Sequence, residues 1–182
     1  LTLTDRAQRI ALAEIGRGIL YVDINARGAA RLSSAAFTAN DEGVDWPQLT
    51  VAITTYRRED AVADTARRLE AFLSSYPHGE NIDVVVVDNG GTAKIAETSH
   101  VRRVENANLG GAGGFARGLI EARGAGATHC LFMDDDATFH MENLARTHAF
   151  LAFAHDPATA IAGAMITNTF THQVWENGAV FD

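Results

Sequence analysis

From Gln48 onward, short continuous apolar runs alternate with segments of helical periodicity. The apolar runs have the length of strands that are buried on both faces, and the segments between them repeat apolar residues every three or four positions. This alternation is typical of an α/β fold with a mainly parallel sheet. The predicted strands are residues 49–55, 82–88, 101–104, 128–133 and 160–166, and the predicted helices are residues 59–75, 112–123 and 141–155.

The first 47 residues follow a different pattern. Segments 18–25 and 31–38 each favour a β-strand, and together they indicate a hairpin. Residues 40–47 are polar and contain glycine and proline, which is typical of a linker. We therefore expect two parts: residues 1–47 as the end of a β-rich accessory segment with its linker, and residues 48–182 as an α/β domain.

Composition narrows the classes of function. Of the 182 residues 47% are hydrophobic, which is enough to bury a core. The 23 acidic and 15 basic residues give a net charge of −8, which argues against a nucleic-acid-binding protein. The single cysteine, Cys130, excludes an internal disulfide. No apolar run approaches the roughly 18 to 20 residues of a membrane-spanning helix.

Three consecutive aspartates, Asp134, Asp135 and Asp136, follow one of the predicted buried strands. Neighbouring carboxylates repel one another by about 1 kcal/mol per pair in water and by several times that near a protein surface. A hard divalent cation compensates that repulsion, because Mg²⁺ and Mn²⁺ take oxygen ligands from one or two carboxylates and from substrate phosphates. The alternative is a solvated acidic turn that caps the next segment.

Residues 106–118 form a glycine-rich segment that leads into a predicted helix. Its glycines let backbone N–H groups approach a phosphate or sugar closely, and a helix N-terminus favours negative charge. Gly111, Gly113 and Ala116 also fit a dinucleotide fingerprint. That alternative is weaker, because residues 105–108 separate the strand from the glycines and three carboxylates exceed what a ribose needs. A third interpretation gives the glycines only a packing role.

Polar residues also follow other predicted strands. Thr55 and Arg58 follow the first and Asp88 follows the second, so they meet at one edge of a parallel sheet. An arginine suits a diphosphate, and a carboxylate suits a base N–H or a sugar hydroxyl; a surface ion pair with Glu59 or Asp60 is the alternative for Arg58. Trp175 and Glu176 lie in a predicted loop after the last predicted strand. The aromatic ring and the carboxylate suit a sugar, and a tryptophan packed over the loop is the alternative.

Four motifs in this order resemble the GT-A fold glycosyltransferases of the inverting kind: Thr55-Tyr56-x-Arg58, Val87-Asp-Asn-Gly90, Asn108-Leu-Gly-Gly-x-Gly-Gly-Phe-Ala-Arg117 and Met133-Asp-Asp-Asp136. The glycine-rich loop and the Asp triplet are most similar to the galactofuranosyltransferases that polymerise cell-wall galactan. The resemblance covers residues 48–182. It implies a Rossmann-like, nucleotide-sugar-binding sheet flanked by helices and preceded by part of a β-rich appendage.

The resemblance implies a metal-dependent enzyme with a UDP-sugar donor, UDP-galactofuranose first, and a glycan or lipid-linked glycan acceptor. Asp134 and Asp136 would hold Mn²⁺ or Mg²⁺ on the diphosphate, and Asp135 would lie near the ribose or support the turn. The residues expected to bind the nucleotide-sugar are Thr55, Arg58, Asp88, Asn108, Gly110, Gly111, Arg117, Asp134 and Asp135, and Glu176 would face the acceptor.

By the same resemblance, the general base and a further metal-binding histidine belong to a region beyond Asp182. We therefore expect this chain to be part of a longer cytoplasmic enzyme. Any association with the cytoplasmic face of the membrane would come from other parts of that enzyme. Two other functions stay open. One is an NAD-type oxidoreductase module, and the other is a catalytically silent nucleotide-sugar-binding domain.

Overall fold

The structure, a computed structural model, describes residues 23–34, 42–167 and 169–176. The chain divides into two compact units, Leu1–Asp41 and Glu42–Asp182.

In the first unit the described residues are exposed and form neither a helix nor a strand. The strands predicted for residues 18–25 and 31–38 are therefore absent over 23–25 and 31–34, and the rest of both predictions lies outside the described residues. An alternating pattern alone does not form a strand, because a strand also needs a neighbour with which to share its backbone hydrogen bonds.

The second unit is built on a parallel sheet of four strands in the order β3-β2-β1-β4. The strands are β1 (Leu49–Thr55), β2 (Ile82–Asp88), β3 (Val101–Glu105) and β4 (His129–Asp134). Leu49 pairs with Ile82 on one side and with His129 on the other, so β1 is central. The apolar runs predicted these four strands to within one residue at each end, and the α/β fold is confirmed.

Three helices cover the sheet: α1 (Glu59–Leu73), α2 (Gly110–Gly124) and α3 (Met141–Phe153), with a 3₁₀ turn at Gly79–Asn81. Along each strand successive side chains point to opposite faces. On one face the valines and isoleucines of β1 and β2 pack with α1 and with Leu144 of α3. On the other face Ala52, Val85 and Val87 form a second cluster, against which α2 packs. Full burial of one such aliphatic side chain contributes about 1.5 to 3 kcal/mol.

The fifth predicted strand, residues 160–166, is wrong in its extent and its placement. Only Met165–Ile166 forms a strand, β5, and it pairs antiparallel with β6 (Val174–Glu176) in a separate two-stranded sheet. An apolar run indicates strand propensity but not which edge will pair with it. Trp175 and Glu176, predicted to lie in a loop, belong to β6.

Among the residues that the structure describes, no helix combines the length and the apolar character needed to cross a bilayer.

Candidate functional site

The carboxyl ends of β1, β2 and β4 meet at one edge of the sheet. The register places Thr54 opposite Asp134 and Thr55 opposite Asp88. From β1 the chain continues to β2 and β3 on one side and then returns to place β4 on the other. In open α/β sheets, a ligand crevice forms at such a reversal of strand order, beyond the carboxyl ends of the strands.

Asp135 is the buried member of the Asp triplet. Its Oδ2 accepts a hydrogen bond of 2.7 Å from Thr55 Oγ1, and its backbone carbonyl accepts one of 3.3 Å from Thr65 Oγ1. These bonds connect the end of β4 to β1 and α1. Of the two roles expected for Asp135, the geometry favours support of the turn, and Thr55 takes part in that support. Thr65 was not predicted to be a site residue, and its position on the buried face of α1 was its only signal.

Asp134 and Asp136 are exposed on either side of Asp135. The guanidinium of Arg58 donates from NH1 to Asp136 Oδ2 and lies 3.5 Å from Asp135 Oδ1. Arg57, which precedes it, has a left-handed φ of 54° at the bend between β1 and α1. The hydrogen bond to Asp136 and the charges of Asp136 and Asp135 raise the pKa of Arg58 above its ordinary value. Arg58 therefore pairs across the crevice, and not with its neighbours Glu59 and Asp60.

We call Asp134, Asp135, Asp136 and Arg58 the acidic corner. It holds three carboxylates and one guanidinium, so negative charge is in excess. Within the described part of the chain, no three or more His, Cys, Asp or Glu side chains come together as a complete metal cage. Magnesium in nucleotide enzymes is bound by one or two carboxylates together with substrate phosphates. The exposed Asp134 and Asp136 match that donor set, so the residues present fit an Mg²⁺ or Mn²⁺ ion whose remaining ligands come from a diphosphate.

Asp88 is completely buried, at 0% exposure. Its Oδ1 accepts hydrogen bonds from the N–H groups of Gly90 (3.0 Å) and Gly91 (2.9 Å). Its Oδ2 accepts from the N–H of Ala93 (2.8 Å) and from Arg103 NH1 (3.1 Å). A carboxylate has about four lone-pair positions, and all are used here. Asp88 therefore shapes the loop that follows β2, and direct contact with a ligand stays a prediction.

Two asparagines hold the glycine-rich loop against the end of β2. Asn106 Nδ2 donates to Asn89 Oδ1 (2.8 Å), and Asn89 Nδ2 donates to the carbonyl of Gly110 (3.3 Å). Asn108 Oδ1 accepts from the N–H of Gly110 (3.2 Å), which has a positive φ of 73°. Asn89 lies within the motif Val87-Asp-Asn-Gly90 and Asn106 begins the glycine-rich segment, but neither was predicted to be a site residue. Asn108 and Gly110 thus have a local structural role beside the predicted binding role.

The glycines of α2 divide into two kinds. A Cβ atom at Gly114 would lie 2.2 Å from Thr54 Cγ2, and one at Gly118 would lie 2.6 Å from Ala52 Cβ. These two glycines allow α2 to approach β1 closely, so the packing interpretation is correct for them. A Cβ at Gly111 would have no atom within 4 Å. Gly111 therefore has open space beside it, as a ligand-facing position requires.

Arg117, predicted to bind the donor, lies in an ion-pair network. Its Nη2 is 2.7 Å from Glu121 Oε1, and Glu121 Oε2 accepts from Arg102 Nη1 at 2.8 Å. Hydrogen bonds from Arg102 and then from Arg117 hold the pKa of Glu121 below its ordinary value. This network ties α2 to β3, and contact of Arg117 with the donor stays a prediction.

Trp175 is 72% exposed in β6, directly before Glu176. An exposed indole ring is suited to a sugar face. The contact of Glu176 with an acceptor stays a prediction.

Comparison with known proteins agrees with this geometry. Residues 50–177 match the family described as Glycosyl transferase family 2. Galactofuranosyltransferase GlfT2 of Mycolicibacterium smegmatis is 30% identical over 161 residues, which are 82% of this chain and 24% of that protein. The protein of the same name from Mycobacterium tuberculosis is 26% identical over 161 residues, 82% of this chain and 25% of its own length. The chain thus spans about a quarter of the length of these relatives.

The family match runs from β1 to just beyond β6 and covers well over half of the chain. It includes all four motifs on which the resemblance was based. The sequence, the parallel sheet and the family match lead to one conclusion: the chain belongs to glycosyl transferase family 2.

Proposed function

We propose that this chain is the donor-binding part of a metal-dependent, inverting glycosyltransferase that uses a UDP-sugar to extend a cell-envelope polysaccharide. The observation that carries the proposal is the acidic corner, where Asp134 and Asp136 stand exposed at the reversal of strand order. UDP-galactofuranose is the first donor to test, because both relatives are named galactofuranosyltransferases.

Each element of the crevice has a role in this proposal. Asp134 and Asp136 would hold Mn²⁺ or Mg²⁺, and Asp135 keeps the turn between them rigid through Thr55. The bound ion would neutralise the negative charge that develops on the departing UDP. The first turn of α2, from Gly111 onward, offers backbone N–H groups to a phosphate, because the N–H of Gly110 already donates to Asn108 Oδ1.

The transfer itself forms a bond between an acceptor oxygen and the anomeric carbon of the donor sugar. The bond from that carbon to the diphosphate oxygen breaks, and UDP leaves with the electron pair. The acceptor hydroxyl must lose its proton to a general base. Glu176 is proposed to contact the acceptor, a glycan or lipid-linked glycan. A cytoplasmic site of action stays a prediction.

The sheet topology argues against an NAD-binding module. In the dinucleotide fold the glycine-rich turn follows the first strand directly. Here the glycines follow β3, an edge strand, while the central strand β1 leads through Thr55 to Arg58 without any glycine. The glycine-rich loop therefore follows the third strand, whereas a dinucleotide-binding module needs it after the first.

Calorimetric titration tests the proposal. UDP and NAD are each titrated with and without Mn²⁺ into the protein and into Asp134→Asn. We expect UDP to bind at least about tenfold more tightly with Mn²⁺, and Asp134→Asn to abolish that gain. Asp83→Asn is the matched control, because Asp83 is an exposed carboxylate near the start of β2. Binding of NAD that is indifferent to Mn²⁺, or no binding of UDP, would refute the proposal.

A transfer assay separates an enzyme from a silent binding domain. UDP-galactofuranose and a galactan acceptor are incubated with the full-length protein, and the product is detected by mass spectrometry. Product that disappears in Asp134→Ala and Asp136→Ala supports transfer, whereas metal-assisted UDP binding without product would support the silent domain.

A further inference from the structure

Arg58 pairs with Asp136, one of the two carboxylates proposed to hold a cation. Its NH1 donates to Asp136 Oδ2 and lies 3.5 Å from Asp135 Oδ1. A guanidinium and a metal ion that use the same carboxylate oxygen compete for it. In this state of the molecule, Arg58 therefore stands as the counter-ion of Asp136.

The two carboxylates differ in how much they depend on Arg58. Asp135 is also bound by Thr55 Oγ1 at 2.7 Å and through its carbonyl by Thr65, so it keeps its place without Arg58. The hydrogen bond that the structure describes for the Asp136 carboxylate comes from Arg58. Departure of Arg58 would therefore release Asp136 for another partner without disturbing the buried support of the turn.

Arg58 is able to move and has an alternative partner. Its side chain is 53% exposed, so movement does not require opening the core. The planar guanidinium binds a phosphate as well as a carboxylate, through two parallel N–H groups. A diphosphate that enters the crevice brings new acceptors to Arg58 and simultaneously needs a cation on the carboxylates.

We propose that Arg58 is an exchangeable counter-ion that holds Asp136 in the unloaded site and transfers to the donor diphosphate, which frees Asp136 for the divalent cation. The proposal rests on the proposed function and adds a regulation to that site. A cation that binds alone must displace Arg58 from Asp136 and leave its guanidinium without an acceptor. When the diphosphate binds with the cation, its oxygens replace Asp136 as acceptors for Arg58. The two ligands therefore bind cooperatively, and each strengthens the other by the same factor.

The test compares Mn²⁺ binding, measured by the electron paramagnetic resonance signal of free Mn²⁺, with UDP binding, measured by calorimetry. In Arg58→Gln we expect Mn²⁺ alone to bind about fivefold more tightly than in the wild type. UDP in the presence of Mn²⁺ should bind about tenfold more weakly. With the affinity for UDP alone unchanged, the factor by which Mn²⁺ strengthens UDP binding should consequently fall by about tenfold, within the range of measured couplings.

Arg57→Gln is the matched control, because it removes the same charge one residue earlier. The Arg57 guanidinium lies 5.1 Å from the centre of the Tyr56 ring. This variant should keep the Mn²⁺ affinity within about twofold of the wild type, since it removes only a long-range electrostatic interaction that salt screens. Circular dichroism verifies the fold of each variant. If Arg58→Gln does not fold, Arg58→Lys replaces it, and we expect weaker UDP binding with Mn²⁺ and reduced cooperativity from the loss of the two-pronged contact.

Three outcomes would overturn the inference: Mn²⁺ alone binding no more tightly to Arg58→Gln, Arg57→Gln tightening it equally, or, where Arg58→Lys is used, unchanged cooperativity. A wild type whose UDP binding is strengthened by Mn²⁺ upholds the proposed function in each of these cases. A wild type that binds neither would overturn the proposed function and the inference with it.

Discussion

At the scale of single residues, the three consecutive aspartates have different environments. Strand β4 ends at Asp134, and the turn that follows buries Asp135 while Asp134 and Asp136 are exposed. The buried carboxylate accepts a hydrogen bond from Thr55 Oγ1, whereas the other two carboxylates are exposed. A run of identical residues therefore combines one structural carboxylate with two exposed carboxylates, for which we propose cation binding.

Asp135→Ala should destabilise the fold by about 1 to 3 kcal/mol, because the buried Thr55 hydroxyl loses its acceptor. Urea unfolding followed by circular dichroism measures the change. Asp134→Ala, the matched control, removes an exposed carboxylate and should change the free energy of unfolding by less than about 0.5 kcal/mol. An equal loss of stability in both variants would show that exposure does not separate their roles.

At the scale of elements, α2 approaches the sheet through small residues. Gly114, Gly118 and Ala122 recur every four positions and are the buried residues of the helix. A glycine inside a helix costs about 0.5 to 1 kcal/mol relative to alanine. Close packing on Thr54 and Ala52 offsets that cost and fixes the position of the helix N-terminus beside the crevice.

Gly114→Ala should destabilise the fold by about 1 to 3 kcal/mol, because its Cβ would lie 2.2 Å from Thr54 Cγ2. Gly124→Ala in the same helix has no atom within 4 Å of the new Cβ and should stabilise by about 0.4 to 1 kcal/mol. Thermal unfolding distinguishes them. Thr54→Ala removes the side-chain atoms nearest to the new Cβ, so the double variant should recover part of the loss. If the double variant is no more stable than Gly114→Ala, the loss of stability does not come from the contact with Thr54.

At the scale of the whole α/β unit, His148 joins three segments that are distant in sequence. It is completely buried on α3, where Nε2 donates to the carbonyl of Pro47 at 2.8 Å. Nδ1 then accepts from the hydroxyl of Tyr76 at 3.3 Å, which requires a neutral ring. Burial lowers the pKa of His148, and the nearby His78 and His129 lower it further, against the opposite effect of the Pro47 carbonyl.

A lowered pKa in the folded state means that the unfolded chain takes up the proton first as the pH falls. The stability that depends on neutral His148 is therefore present above its ordinary pKa, about 6.5, and is lost as the pH falls below it. We expect the melting temperature to decrease between pH 8 and pH 5 more steeply in the wild type than in His148→Gln. His155→Gln, at an exposed position, should keep the wild-type slope. Equal slopes in the wild type and His148→Gln would contradict this assignment.

Much of the fold was predictable, because its signals are local. The length of an apolar run and the 3.6-residue period depend on neighbours in the chain, and they predicted the four strands of the main sheet and the three helices. The four motifs at the strand and helix ends also predicted the family, through their resemblance to known glycosyltransferases, and the family match confirms it. The strand prediction for residues 160–166 was wrong, because an apolar run does not determine which strand edge is available for pairing.

The sequence by itself determined the α/β class, the order of the elements of the main sheet and the residues that we propose to bind a cation and a diphosphate. Only the tertiary structure decided which of those residues are used internally. Thr55 and Asp135 are 80 positions apart, and Arg103 reaches Asp88 only because β3 lies beside β2. Arg117 forms an ion pair with Glu121, and Arg58 forms one with Asp136. The physical reason is that a charged or polar side chain takes the best partner within a few ångströms, and those distances exist only after the sheet has formed.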